Sequence, residues 1–238
     1  KREPIYTADI IIDGNKNESS IEKSKISIRT DGDGDLKIWA VPNCLKVENR
    51  YLVSVDIGGK SSTSDYTVMT VIDRFGMLPT IKGKPKVVAR WRGHVRHDKL
   101  AWTAALAHYY DDALLVIESN TADREKNNNT EGDHFGSILN EIADYYDNLY
   151  QRTTSPEDVS DDVLAKYGFQ TNKLTKGWVI DNLEQFVDDM LWDEPDREMY
   201  HELRIYERHD DGSLGNIVGN GNHDDVVMST GIGMYGKQ

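Results

Sequence analysis

Three β-branched runs follow one another closely in this chain: "YLVSVDI" (51–57), "DYTVMTVID" (65–73) and "PKVVARWRG" (85–93). Nothing else in the sequence restricts the fold as tightly. Each has the length of a strand and the connections are short, so the three predict an antiparallel meander. The next stretch, "HDKLAWTAALAHYY", carries Leu100, Ala104, Ala107 and Tyr110 at the spacing of one helical face. "ALLVIES" (113–119) then has the apolar density of a strand buried on both faces. A polar loop, "NTADREKNNNTEGD", precedes helices predicted over "HFGSILNEIADYYD", "PEDVSDDVLAKY" and "KGWVIDNLEQFVDDMLW". "HELRIYE" and "GNIVG" read as strands around the turn from Asp210 to Ser213, and "HDDVVMSTGIGMY" as a closing helix weakened by its glycines. The order describes a three-layer α/β fold on a mixed sheet that starts with three antiparallel strands and is flanked by helices.

Residues 1–50 hold shorter extended pieces, "DIIID", "SKISIRT" and "LKIWAVP", and read as a strand-rich extension ahead of a main unit at 51–238. Asp31-Gly32-Asp33-Gly34-Asp35 invites a calcium loop. Glycine is needed at its sixth position and glutamate at its twelfth, where Leu36 and Pro42 stand. A tight turn between two strands is the better account. The chain begins at Lys1 rather than methionine and is read as a piece of something longer.

At 238 residues there is material for one substantial core. A formal net charge of −13 argues against a general nucleic-acid binder, because the phosphate backbone repels such a surface. The charge is uneven, however. Lys82, Lys84, Lys86, Arg90, Arg92, Arg96 and Lys99 face a single acid, Asp98, and the first six form a candidate phosphate grip. Trp91 within that stretch reads as core rather than as a stacking platform. The single cysteine, Cys44, excludes an internal disulfide and fits a reducing compartment. No apolar run reaches the ~20 residues that span a bilayer.

"SVDIGGKS" (54–61) lacks only the first glycine of a phosphate-binding loop. Such a loop must open a helix whose amides point at the phosphates. Here a strand-like run follows, and Asp56 would repel polyphosphate. What remains is an aspartate at the C-terminal end of a strand. Glu118 ends the buried run "LLVIE", where a charge is costly unless paired or metal-bound. Asp224 and Asp225 open the last helix, one more aspartate than capping requires. If the strands of Asp56 and Glu118 are neighbours, their carboxylates meet at one sheet edge and the last helix adds a third. Such a cluster needs cations, and hard oxygen donors suit two Mg²⁺ or Mn²⁺ ions of a phosphodiester nuclease. Zinc is less well served, since the only spaced histidine pair is His94 and His97.

These segments resemble the C-terminal nuclease domain of tailed-phage large terminase subunits over roughly residues 50–236. The residues behind the resemblance are D-x-G…D-Y from Asp56 to Tyr66, I-E-x-N at Ile117–Asn120, T-K-x-x-x-I-D at Thr175–Asp181 and G-x-H-D-D-x-V-M at Gly221–Met228. The resemblance implies an RNase H-like (retroviral-integrase-like) fold with two metals on Asp56, Glu118 and an aspartate of the last motif. Asp225 is preferred there and Asp224 is the alternative. Asp65, Asn120 and His223 take supporting positions around the ligands. It further implies cleavage of concatemeric double-stranded viral DNA during genome packaging, in the cytoplasm of an infected or lysogenic bacterium. The implied partners are a packaging ATPase domain in the full-length protein, the small terminase subunit and the portal, with no membrane. Residues 1–50 would be the connection between domains.

Three rivals share part of this pattern. A resolvase or transposase has the same site on another DNA. An actin/hexokinase-type phosphotransferase also uses Asp-x-Gly between strands but needs a second such lobe. A packaging domain without turnover would keep the fold alone.

Overall fold

The computed structural model describes residues 2–12, 26–58, 65–94, 103–119, 139, 142–144, 146–152, 167–217, 219 and 221–235. The predicted helix at 156–167 apart from Tyr167, most of that at 134–147 and the polar loop at 120–133 lie outside these residues. So do Asn120, Arg96 and Lys99.

The three diagnostic runs are strands β4 (Tyr51–Asp56), β5 (Thr67–Asp73) and β6 (Lys86–Gly93), paired antiparallel in sequence order. Strand β7 (Leu114–Ile117) lies parallel to β4, with Val55 opposite Ile117. The N-terminal pieces β1 (Tyr6–Ile12), β2 (Ile26–Thr30) and β3 (Leu36–Ile38) extend the same sheet through antiparallel pairing of β3 with β6. The seven-stranded order is β2-β1-β3-β6-β5-β4-β7. Ala8, Ile10, Leu36 and Ile38 share a core with Val53, Val55 and Met69, so β1, β2 and β3 are built into the main sheet. The Asp-Gly turn does join β2 to β3, but the two are not neighbours: both pair with β1. The turn therefore steps across the end of β1. A Cβ on Gly34 would stand 2.4 Å from the carbonyl carbon of Ala8, so only glycine allows that crossing.

Helix α1 (Thr103–Tyr109) packs on one face of the sheet with Val53, Val55, Trp91 and Leu115. The other face carries helices α2 (Lys173–Asp188), α3 (Arg197–Ile205) and α4 (Asp225–Tyr235). Those three layers are the expected arrangement. A two-stranded hairpin, β8 (Tyr206–Arg208) with β9 (Leu214–Asn216), closes around the turn at Asp210–Ser213. The strand predicted over "HELRIYE" is corrected here: its first five residues are the end of α3 and only Tyr206 and Glu207 are strand. Asp196 caps that helix by accepting from the Glu198 amide at 3.2 Å.

Helix α4 is buried from Asp225 to Met234, wedged between the sheet and α2. Its glycines are the condition of that fit rather than a weakness. A Cβ on Gly231 would come within 2.7 Å of Val179 on α2, and one on Gly233 within 2.6 Å of Ile72 on β5. Ser54 on β4 donates to the Ser229 carbonyl at 2.7 Å, and Ser229 donates to the Ser54 carbonyl at 3.2 Å and to the Thr70 hydroxyl at 3.0 Å. The pairing fixes α4 against the strand that ends in Asp56.

Candidate active site

Alternation decides which way the acidic side chains face. Tyr51, Val53 and Val55 of β4 enter the core on the α1 side, whereas Leu52 packs on the α4 side and Ser54 bonds to α4. Asp56 continues the second set. On β7, Ile117 lies in the α1-side core and Val116 in the α4-side core, so Glu118 also faces α4. Backbone bonds hold it in register: the Glu118 amide donates to Val55 at 2.9 Å, and the Ser119 amide to Phe169 at 2.9 Å. Because β4 and β7 are parallel neighbours, the two carboxylates emerge side by side.

Asp56 is half-buried and Glu118 is 9% exposed. The parallel register of Val55 with Ile117 sets the two carboxyl groups against one another. Burial pushes the Asp56 carboxyl well above the usual range, and the charges of Glu118, Asp225 and Asp224 add to it. Asp225, at the first turn of α4 and 4% exposed, accepts from the Tyr66 amide at 2.9 Å. Burial raises it to about 7 against that hydrogen bond, with Asp65 and Asp224 contributing. Asp224 points elsewhere, to Lys176 on α2 at 3.3 Å.

A second grouping sits beside the first. His223 Nδ1 lies 3.6 Å from a carboxylate oxygen of Asp65 and 3.6 Å from one of Asp225, too long for a hydrogen bond, and this buried nitrogen has no hydrogen-bond partner. Among the described residues, Asp65, His223 and Asp225 are the group whose ligand atoms all lie within 4.8 Å of one another. Asp225 thus belongs to both groupings. Asp65 and His223, expected only in support, stand close enough to be ligands themselves. The unsatisfied nitrogen and the converging carboxylates both fit a divalent cation.

The chain around Asp56 also explains its glycine turn. A Cβ on Gly58 would stand 2.1 Å from the Asp65 carbonyl oxygen, and the Gly58 amide donates to Thr67 at 3.1 Å. Gly58 is pressed onto the segment leading into β5, and among the described residues the next element is that strand rather than a helix, which argues against the phosphate-loop reading.

The basic stretch is not one patch. Arg90 is 1% exposed and forks onto Glu194 at 3.0 and 3.2 Å, Asp196 at 3.0 Å and Thr230 at 2.9 Å. Its expected role in gripping DNA is corrected: it is a buried ion-pair centre, because β6 turns residue 90 toward the 194–196 segment. Arg92 lies over the Tyr66 ring at 3.9 Å and pairs with Glu198 at 3.6 Å. Lys82, Lys84 and Lys86 are exposed, but they lie at the start of β6. Strand rise puts that end roughly 25 Å from the end beside Asp65 and Tyr66. Trp91 is core, 5% exposed. A cavity of about 410 Å³ lined by Lys46, Asn49, Asp111, Asp112 and Asn148 lies at the sheet edge opposite the carboxylates.

Sequence reasoning missed Glu202 of α3. It is 1% exposed and accepts from the Val226 and Val227 amides at 2.8 and 3.0 Å. Burial pushes it up to about 8, with the Asp225 charge contributing and those amides opposing. The raised carboxyls of Asp56, Asp225 and Glu202 set a pH dependence. Between about pH 4 and pH 8 the folded chain keeps protons that the unfolded chain has lost, so stability falls as pH rises. Metal-free protein is expected to melt several degrees lower at pH 8 than at pH 5, and saturating Mn²⁺ should remove most of that difference. Scanning calorimetry with and without EDTA measures both.

No protein-family model matches the sequence, and no curated protein matches it. Solved structures do share its fold. The large terminase nuclease from thermophilic phage G20c with bound magnesium is 20% identical, with a TM-score of 0.55 over 86% of this chain and 89% of that one. The same nuclease with bound cobalt gives the same values. The large terminase nuclease domain of Thermus phage P74-26 is 20% identical, with a TM-score of 0.52 over 85% and 86%. The chain has the RNase H-like α/β fold of large-terminase nuclease domains.

Proposed function

We propose that this protein is a metal-dependent endonuclease that cuts concatemeric double-stranded viral DNA during genome packaging. The observation that carries this reading is the convergence of carboxylates at one end of the sheet, with Asp56 and Glu118 ending the parallel neighbours β4 and β7 and Asp225 opening α4 beside Asp65 and His223. Nucleases of the same fold solved with bound magnesium and with bound cobalt support a divalent cation in this protein.

Asp56, Glu118 and Asp225 would hold two divalent cations, Mg²⁺ or Mn²⁺, with Asp65 and His223 completing the shell on the Asp225 side. An imidazole among the donors suits Mn²⁺ better than Mg²⁺. Bound there, the cations would supply an activated water and charge to stabilise the leaving 3′ oxygen. The chain's own part is to hold the acids in place. Asp56 stands between Glu118 and the start of α4, where it can serve both ions, and the Tyr66 amide fixes one oxygen of Asp225. Lys176, next to Asp224, is the cation placed to meet a phosphate at the site. Lys82, Lys84 and Lys86 would touch the duplex away from the cut. The partners in this reading are a packaging ATPase domain of the full-length protein, the small terminase subunit and the portal, in the cytoplasm of the bacterial host. No helix among the described residues is long and apolar enough to cross a membrane.

Incubation with supercoiled plasmid tests the proposal. Relaxed and linear products are expected with Mn²⁺ or Mg²⁺ and none with EDTA. Intact plasmid at every metal concentration would refute it.

A further inference from the structure

Helix α4 begins with two aspartates, either of which could cap it, yet neither is seen to. The amides of Val226 and Val227 are taken by one oxygen of Glu202, a side chain from another helix. Burying a carboxylate there is costly, and its other oxygen has no hydrogen-bond partner, with Arg92 Nη2 4.0 Å away. A self-capping aspartate would do the same at lower cost, but its carboxylate would be drawn back over the helix end.

The contacts around Glu202 close a ring. From Glu202 Oε2 the ring passes to the Val226 amide and so to Asp225. Asp225 is held by the Tyr66 amide at 2.9 Å, Arg92 lies over the Tyr66 ring, and Arg92 returns to Glu202. We propose that Glu202 is a positioning residue of the carboxylate site: by capping α4 from α3 it leaves Asp225 free to face the cations. This rests on the metal-dependent nuclease reading and adds a residue to it.

Reach and charge can be separated. Glu202→Gln keeps an oxygen at the same distance but loses the charge. Glu202→Asp keeps the charge but is one methylene short of the two amides. Mn²⁺ affinity by titration calorimetry and amide exchange at Val226 and Val227 by NMR are measured on both variants and on Glu202→Ala. Glu202→Asp and Glu202→Ala should each weaken Mn²⁺ binding about tenfold and speed exchange at those two amides about tenfold, the size of a lost helix cap. Protection deeper in α4, at Ile232 and Met234, should persist, and Glu202→Gln should stay within about threefold of wild type.

Three results would overturn the proposal. Unchanged exchange in Glu202→Asp means that Glu202 is not the cap. Faster exchange with wild-type Mn²⁺ affinity means that the cap is structural only. A loss in Glu202→Gln with retention in Glu202→Asp means that charge, not reach, matters. Wild-type protein that binds no Mn²⁺ would instead bring down the nuclease reading on which the proposal rests, and the exchange data would still decide whether the cap exists. If Glu202→Ala fails to fold, the Gln and Asp pair carries the test alone.

Discussion

Asp56→Asn is expected to leave less than about 1% of the plasmid-cutting activity, since loss of a direct ligand should exceed the 10–100-fold cost of disturbing a ligand's neighbours. The same substitution should make the metal-free protein harder to unfold. Asp56 sits against Glu118 with the charges of Asp225 and Asp224 nearby, and its carboxyl is pushed well up by burial and by those charges. A neutral amide of the same shape removes the repulsion. At pH 8 in EDTA the melting temperature should therefore rise by at least ~2 °C. Lower activity with higher stability separates a functional carboxylate from a structural one. A structural Asp56 would instead give an unstable variant whose activity falls only as far as its folded fraction.

Arg90→Ala should be the most destabilising single change in the chain, costing about 3–5 kcal/mol. Removing the guanidinium leaves Glu194 and Asp196, both nearly inaccessible, without their shared partner, and strips hydrogen bonds from Thr70 and Thr230. For a domain of this size the melting temperature should fall by roughly 10 °C. Arg90→Lys should recover only part of the loss, because one ammonium cannot reproduce a fork that reaches two carboxylates and two hydroxyls. Chemical denaturation of the three proteins measures this. A DNA-gripping arginine would behave differently, with near-native stability and weakened, salt-sensitive DNA binding.

The contrast between Asp56 and Arg90 shows where the sequence could be read. Asp56 and Glu118 were legible because strand alternation and strand ends are local properties, and the apolar runs before them are unambiguous. That β4 and β7 are neighbours was only a condition of the sequence reading, and the structure supplies it. Arg90 was misread because its partners, Glu194 and Asp196, are more than a hundred positions away, and charge in a sequence carries no sign of burial. Helix α3 was partly read as strand because its buried face includes Glu202, which breaks the apolar periodicity. The Asp196 cap and Glu198 in the first turn were the available signals. The glycines of α4 misled in the opposite direction, since their use depends on how closely Ile72 and Val179 approach. Glu202 had no local signature at all: its role exists only once α3 lies against the start of α4.

Crystals soaked in Mn²⁺ and measured at a wavelength where manganese scatters anomalously test the central claim most directly. Two peaks are expected, with Asp56 as a ligand to both, Glu118 on one side and Asp225 on the other. A single peak held by Asp65, His223 and Asp225 alone, or no peak at the ends of β4 and β7, would contradict the two-cation nuclease.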